Sequence, residues 1–224
     1  MRLLALNVGM PAVERAADVA AAMLAAAPDI VVLAEVAKGE AARLLRDTLK
    51  AGGLGATVKG HLDPPAIPHT VAVASRAEHA AVRRPFDGGP WASCALEVEL
   101  GGIVLVAVHA PEGQWTAFRD AALAPYLATL VDRRAVVAGT FADDGTDPDL
   151  AGWIDAVAVR HPASREGTVA GDLGGGATLR VDRVLVSTSL AGAVTDAFIL
   201  QAPREVGLTA HAAVVVDLDL QLRP

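Results

Sequence analysis

The stretch Ala135–Gly145, "AVVAGTFADDG", is an apolar run that stops at a glycine and gives way to a threonine, an aromatic residue and two aspartates. A short apolar run of this kind reads as a buried strand. A polar cluster just past a strand end is where layered folds keep their chemistry. The stretch is therefore either a reaction centre or a polar loop, and its neighbours have to decide. Similar runs recur along the chain: "RLLALNV" (2–8), "DIVVLAEV" (29–36), "TVAVASR" (70–76), "CALEVEL" (94–100), "GIVLVAVHA" (102–110), "LRVDRVLVS" (179–187), "AVTDAFIL" (193–200) and "AAVVVDLDL" (212–220). They are short, β-branched and bounded by Gly, Pro or Asp, as strands are.

The alternation Ala95-Leu96-Glu97-Val98-Glu99 predicts a sheet edge or a half-exposed strand. Helices are expected over Val13–Ala27, stopped by Pro28, and over Lys38–Leu49, with Leu44, Leu45 and Leu49 at helical spacing. A third is expected over Trp115–Val131, kinked or split by Pro125. Several strands follow one another without a helix between them. That implies antiparallel pairing and argues against a purely parallel, doubly wound sheet. The glycine-rich segment Glu166–Ala177 has no Lys-Ser/Thr after it and precedes a strand rather than a helix, so it reads as a hairpin connection rather than a phosphate loop.

Composition narrows the function classes. Hydrophobic residues make up 53% of the 224 and charged residues only 20%, which argues against disorder. A chain of this length, taken as one domain over 1–224, buries roughly 70% of the surface it would expose unfolded. No apolar run reaches the length of a membrane span. Met1–Asp18 meets Glu14, Arg15 and Asp18 too early for a signal peptide, and Cys94 is the only cysteine. A cytoplasmic protein is the expectation. The net charge of −7 argues against a generic duplex nucleic-acid binder, because phosphate neutralisation by Lys and Arg dominates that affinity. A small phosphorylated molecule remains open as a partner.

Several apolar runs carry a single side chain of catalytic type. Asn7 ends the first, Glu35 the second and His109 the fifth; Asp182 sits inside "LRVDRVLVS" and His211 opens "HAAVVVDL". Singly, each has a plain alternative. Asn7 suits a turn, Glu35 a loop or a helix cap, His109 a buried filler, and Asp182 a surface pair with Arg180 or Arg183. In order, "LNV", "DIVVLAEV", "VAVHAP", "GWIDAVAVRHP…GT", "LRVDRVLVS" and "LTAHAAVVVDL" resemble the endonuclease/exonuclease/phosphatase superfamily, over about Arg2 to Leu218; "HTVAVASR" resembles its strand ending in Ser-Arg. The resemblance implies the deoxyribonuclease I-like fold. This is an α+β, four-layer α/β/β/α sandwich of two mixed, mostly antiparallel sheets face to face, with helices outside.

By the same resemblance, Glu35 matches the glutamate that binds a divalent metal, Mg2+ or Mn2+, and Asn7 the asparagine beside it. His109 matches a histidine near the scissile phosphate. Asp182 and His211 match a carboxylate–imidazole pair that stabilises the phosphate. The chemistry is coherent: phosphoester hydrolysis needs a cation on the non-bridging oxygens, a positioned water and a donor to the leaving oxygen.

Where the superfamily has Gly-Asp-Phe-Asn, this chain has Gly139-Thr140-Phe141-Ala142, and its Ser-Asp-His becomes Thr209-Ala210-His211. A water-activating carboxylate, a phosphate-binding amide and a metal-site carboxylate are thereby replaced. Thr140, Asp143 and Arg180 stand as substrate-binding candidates, and Asp143 or Asp144 as a substitute for the missing carboxylate. The expectation is a metal-dependent phosphoester hydrolase of reduced or altered activity on a small phosphorylated substrate. The alternatives are a pseudoenzyme serving as a binding domain and, third, a nuclease. "APEGQW" after His109 reads either as a substrate loop or as a helix cap.

Overall fold

The computed structural model describes residues 1–60, 69–141, 150–170 and 178–220. The first half of the chain runs β1 (Arg2–Asn7), α1 (Val13–Leu24), β2 (Ile30–Ala37), α2 (Glu40–Ala51), β3 (Ala56–Lys59), β4 (His69–Ser75), β5 (Ala81–Arg83), β6 (Ala95–Leu100) and β7 (Ile103–His109). The second half runs α3 (Trp115–Phe118), a π-turn (Arg119–Leu123), α4 (Ala124–Ala128), β8 (Ala135–Thr140), β9 (Trp153–Asp155), α5 (Ala156–Arg160), β10 (Val169–Ala170), β11 (Thr178–Leu179), β12 (Asp182–Ser187), α6 (Thr188–Ala191), β13 (Val194–Leu200), α7 (Ala202–Glu205) and β14 (Ala213–Leu218).

Two six-stranded sheets result, ordered β13-β14-β1-β2-β4-β3 and β5-β6-β7-β8-β12-β9. Each has one parallel pair at its centre, β1–β2 and β7–β8, within otherwise antiparallel neighbours. Alternation along the strands gives each sheet an inner and an outer apolar face. The inner faces meet in one core, with Leu3, Ile30 and Val73 from the first sheet against Leu96, Leu105 and Val184 from the second. On the outer side of the first sheet, Leu4, Val31 and Val215 pack under α1 and α2. On the outer side of the second, Val106, Val137 and Leu185 pack under Phe118, Leu123 and Leu127. Removing each such side chain from water stabilises the fold by about 1.5–3 kcal/mol. The expected α/β/β/α sandwich is the observed one, and no helix among the described residues is long and apolar enough to cross a membrane.

Local departures have local causes. Helix α1 buries Ala16, Val19, Ala20 and Met23, one stripe at helical spacing, but ends at Leu24 rather than Ala27. The ring of Pro28 disfavours helical backbone in the residue before it, and Ala27 takes φ +51°. Helix α2 buries Leu45 and Leu49, whereas Leu44 falls off the stripe and is exposed. The third helix is split as expected. Pro125 stands in the first turn of α4, directly after the π-turn, because it has no N–H to give the preceding turn. The alternation in "ALEVEL" does not mark an edge. Strand β6 lies between β5 and β7, and Glu97 is 2% exposed because its carboxylate accepts hydrogen bonds from Arg83 and from the Tyr126 hydroxyl. A buried charge persists only when paired in this way. Strands β10 and β11 pair antiparallel, as a hairpin would; residues 171–177 between them, like Ala142–Pro148 and Asp149, lie outside the described residues.

Candidate functional site

The site is assembled by strand register. In the second sheet Asp182 faces Thr140 across the antiparallel β12–β8 pair, and Thr140 faces His109 across the parallel β7–β8 pair. Directly opposed residues project on one face, so three adjacent strands present Asp182, Thr140 and His109 in a row. In the first sheet Asn7 ends β1 opposite Ala34, one residue before Glu35. The pairing of β2 with β4 breaks register between Leu33 and Val36, and Glu35 sits inside that bulge with φ +56°. A bulge re-aims a side chain. A non-glycine residue held at positive φ costs about 1–3 kcal/mol and persists where its surroundings over-determine it.

Hydrogen bonds join these residues into one chain. His109 Nε2 lies 3.2 Å from Glu35 Oε1. Asn7 Nδ2 donates to the same Glu35 oxygen at 2.9 Å and to Thr140 Oγ1 at 3.2 Å. Thr140 Oγ1 donates to Asp182 Oδ1 at 2.6 Å, and Asp182 Oδ2 pairs with His211 Nδ1 at 2.7 Å. Two of the plain readings give way, and one holds. Asp182 is 1% exposed and is no surface pair. The cap of α2 is Gly39, not Glu35. Asn7 does hold a turn, since its Oδ1 accepts from the Gly9 N–H, while its amide nitrogen donates to Glu35 and Thr140.

Asn7, Glu35, His109, Thr140 and His211 line a cleft of about 390 Å³, with Asp182 beneath them. Met10, Ala110, Val169 and Val181 give it apolar walls. Glu112 of "APEGQW" also lines it, and α3 is preceded by Gln114 with no side-chain cap, so the stretch belongs to the cleft more than to a cap. Arg180 is not part of the lining. Its guanidinium is held by the Ser164 and Glu166 carbonyls and by Asp155. Asp143 and Asp144 lie outside the described residues. Two supporting residues, Thr209 and Thr168, stand inside the quoted motifs but have no legible role there. The hydroxyl of Thr209 donates to the Asn7 carbonyl and accepts from the His211 N–H, and buried Thr168 accepts from the Asp182 N–H. Threonines near turns are too common to stand out without the contacts. Cys94 offers no nucleophile, because burial pushes its thiol up to about 11 against a hydrogen bond from Ser93 that lowers it.

Burial lowers the basicity of His211, but the hydrogen bond and charge of Asp182, helped by the charge of Glu35, outweigh it. The ring is left above the ordinary histidine value. A raised folded value means that the charged pair adds stability fully below the unfolded histidine pKa of about 6.5, and that this stability is lost as pH rises through the folded value. The His211 ring is therefore expected to titrate above its ordinary range by NMR, and Asp182→Asn to move its midpoint down. An unmoved midpoint would show that Asp182 does not hold the charge.

No family model matches the sequence, and no curated protein matches it. Solved structures do match over nearly the whole chain. One is a 3′ phosphatase, NExo, from Neisseria bound to a product DNA hairpin, 20% identical over 98% of this chain and 99% of that one, with a TM-score of 0.78. Another is the 3′-5′ exonuclease NExo from Neisseria meningitidis, 21% identical over 98% and 100%, TM-score 0.73. A third is an AP endonuclease from Archaeoglobus fulgidus, 19% identical over 98% and 100%, TM-score 0.77. At such identities the likeness is one of fold.

Proposed function

We propose that this chain, which has the deoxyribonuclease I-like fold of the endonuclease/exonuclease/phosphatase superfamily, acts as a single domain that slowly hydrolyses a phosphoester of a small molecule. The observation that carries the reading is the convergence of two pairs, Glu35–His109 and Asp182–His211, on one cleft from different sheets. Asp182, bonded to His211 through Nδ1, favours the cationic form of the ring, in which Nε2–H is the donor for a phosphate oxygen as negative charge develops there. His109 and Asn7 fix the Glu35 carboxylate.

Glu35 is a hard oxygen donor in the cleft. It fits Mg2+ or Mn2+ held by one carboxylate and the substrate's phosphate. It does not fit a preformed cage, since no cluster of three or more His, Cys, Asp or Glu among the described residues is arranged around an ion. Such an ion would neutralise charge on the non-bridging oxygens. Thr140 cannot take the place of a carboxylate base, because an alcohol oxygen is barely basic; its hydroxyl serves as a donor to Asp182. A missing general base slows the reaction about 10²–10⁴-fold, which supports a slow enzyme.

Substrate class follows from charge. The cleft lining includes Glu35 and Glu112 but, among the described residues, no Lys or Arg. That favours one phosphate on a partly apolar molecule over a nucleic-acid backbone, although the neighbours named above include a phosphatase bound to DNA. A second reading, a binding domain without catalysis, draws on the closed hydrogen bond from Thr140 to Asp182.

Phosphate release from small phosphomonoesters and phosphodiesters, and from a 3′-phosphorylated DNA hairpin, separates these readings. The expected result is release from a small substrate that depends on Mn2+ or Mg2+ and falls about 10²-fold in Glu35→Gln and in His211→Ala. Equal activity in parent and variants would mean contamination and would end the enzymatic reading. Preference for the hairpin would move the substrate to DNA.

A further inference from the structure

A second cavity lies on the outer face of the first sheet, between α2 and strands β2, β3 and β4. It has a volume of about 390 Å³. α2 packs chiefly along α1 and covers the sheet sparsely, and Ala42 and Ala72 both line the cavity with little side chain to fill it. Leu33, Val36, Leu45 and Leu49 make its apolar lining. Its size falls in the range of about 300–1,000 Å³ usual for small-molecule sites.

The rim has the opposite character. Lys38, Arg43, Arg46 and Lys59 all border the cavity. Two of the chain's three lysines, at positions 38, 50 and 59, are thus gathered at one opening of a protein whose net charge is −7. Arg46 is satisfied by Asp47. Lys38, Arg43 and Lys59 are exposed and have no ion pair among the described residues. An apolar hole in an acidic protein needs no such ring for solubility. The charges suit a ligand with an anionic head and a hydrocarbon tail.

We infer that this cavity binds a single-chain amphipathic carboxylate of medium length, with its chain against Leu33, Leu45 and Leu49 and its head among Lys38, Arg43 and Lys59. The site is separate from the cleft of Glu35 and His211, and the inference stands or falls independently of hydrolysis. Burial of the tail makes affinity depend on length, by about fourfold per methylene, so octanoate should bind more than about tenfold more weakly than decanoate. The head makes it depend on charge, so neutral decanol should bind less tightly than decanoate.

Calorimetry on the full chain tests both. The expected result is saturable binding of one decanoate, steeply weaker binding of octanoate, and loss of about tenfold or more in Lys38→Glu/Lys59→Glu. Ala42→Phe, which fills the cavity, should abolish binding while circular dichroism stays native. If that variant does not fold, the charge-reversed pair decides alone, since both positions are exposed. No saturable binding, affinity independent of chain length, or decanoate affinity unchanged by the variants would each overturn the inference.

Discussion

Gly139→Ala is expected to cost about 3–5 kcal/mol, a large part of the roughly 5–15 kcal/mol that holds a domain of this kind together. Gly139 has φ +140°, and a Cβ built there would lie 1.9 Å from the Val108 carbonyl oxygen and 2.9 Å from its carbon. Both obstacles are backbone of the adjacent strand β7, so no side chain can swing away. Relief requires β7 and β8 to separate, and those strands hold His109 and Thr140 opposite each other. Stability and site geometry should fail together. Gly101→Ala is the control. Its φ is +56° and no atom lies within 4 Å of the added methyl, so only the local strain of about 1–2 kcal/mol applies. Denaturant midpoints for the two variants check this. If Gly139→Ala is no worse than Gly101→Ala, the close approach of the two strands is not real.

That glycine also marks how far the sequence can be read. "AVVAGTF" is legible as a strand, and so are the other long runs, because short β-branched apolar runs bounded by turn residues have few other uses. Short strands such as β3, β5 and β9 escape, since three or four residues carry no measurable period. Glu97 misleads for a different reason. Alternation reports which residues are polar, not whether a neighbouring element neutralises them, and Arg83 opposite it on β5 and Tyr126 on α4 do so here. In the site, Asn7, Glu35, His109, Asp182 and His211 are visible because each interrupts or ends an apolar run. Their mutual wiring is not. The bulge that turns Glu35, the Thr209 hydroxyl under Asn7 and the role of Thr140 as a link all depend on long-range register. Arg180 shows the converse: a cation near the site in sequence whose contacts lead to Asp155 and Ser164 instead.

Thr140→Asp combined with Ala210→Asp is expected to raise metal-dependent hydrolysis about 10²–10⁴-fold, the worth of a positioned general base, equivalent to about 3–5 kcal/mol of barrier. The Thr140→Asp change also carries a cost, in the double variant as in the single one. The Thr140 hydroxyl now donates to Asp182 at 2.6 Å. A carboxylate in its place brings two like charges to that separation, and such a pair cannot ionise fully. One proton is retained between them, and the titration belongs to the pair. The single variant is therefore expected to lose stability at neutral pH, to recover it as pH falls and the shared proton binds, and to gain rate chiefly on the alkaline side. The retained proton also weakens the charge that Asp182 presents to His211, which should lower that ring's titration midpoint. Ala210 is exposed and flanked by Thr209 and His211, so a carboxylate there adds charge next to the site without a buried clash. Rates of phosphate release against pH, with unfolding curves for each variant, separate these effects. A double variant that folds like the parent and hydrolyses no faster would mean that neither missing carboxylate limits the reaction, and the binding-domain reading would then take precedence.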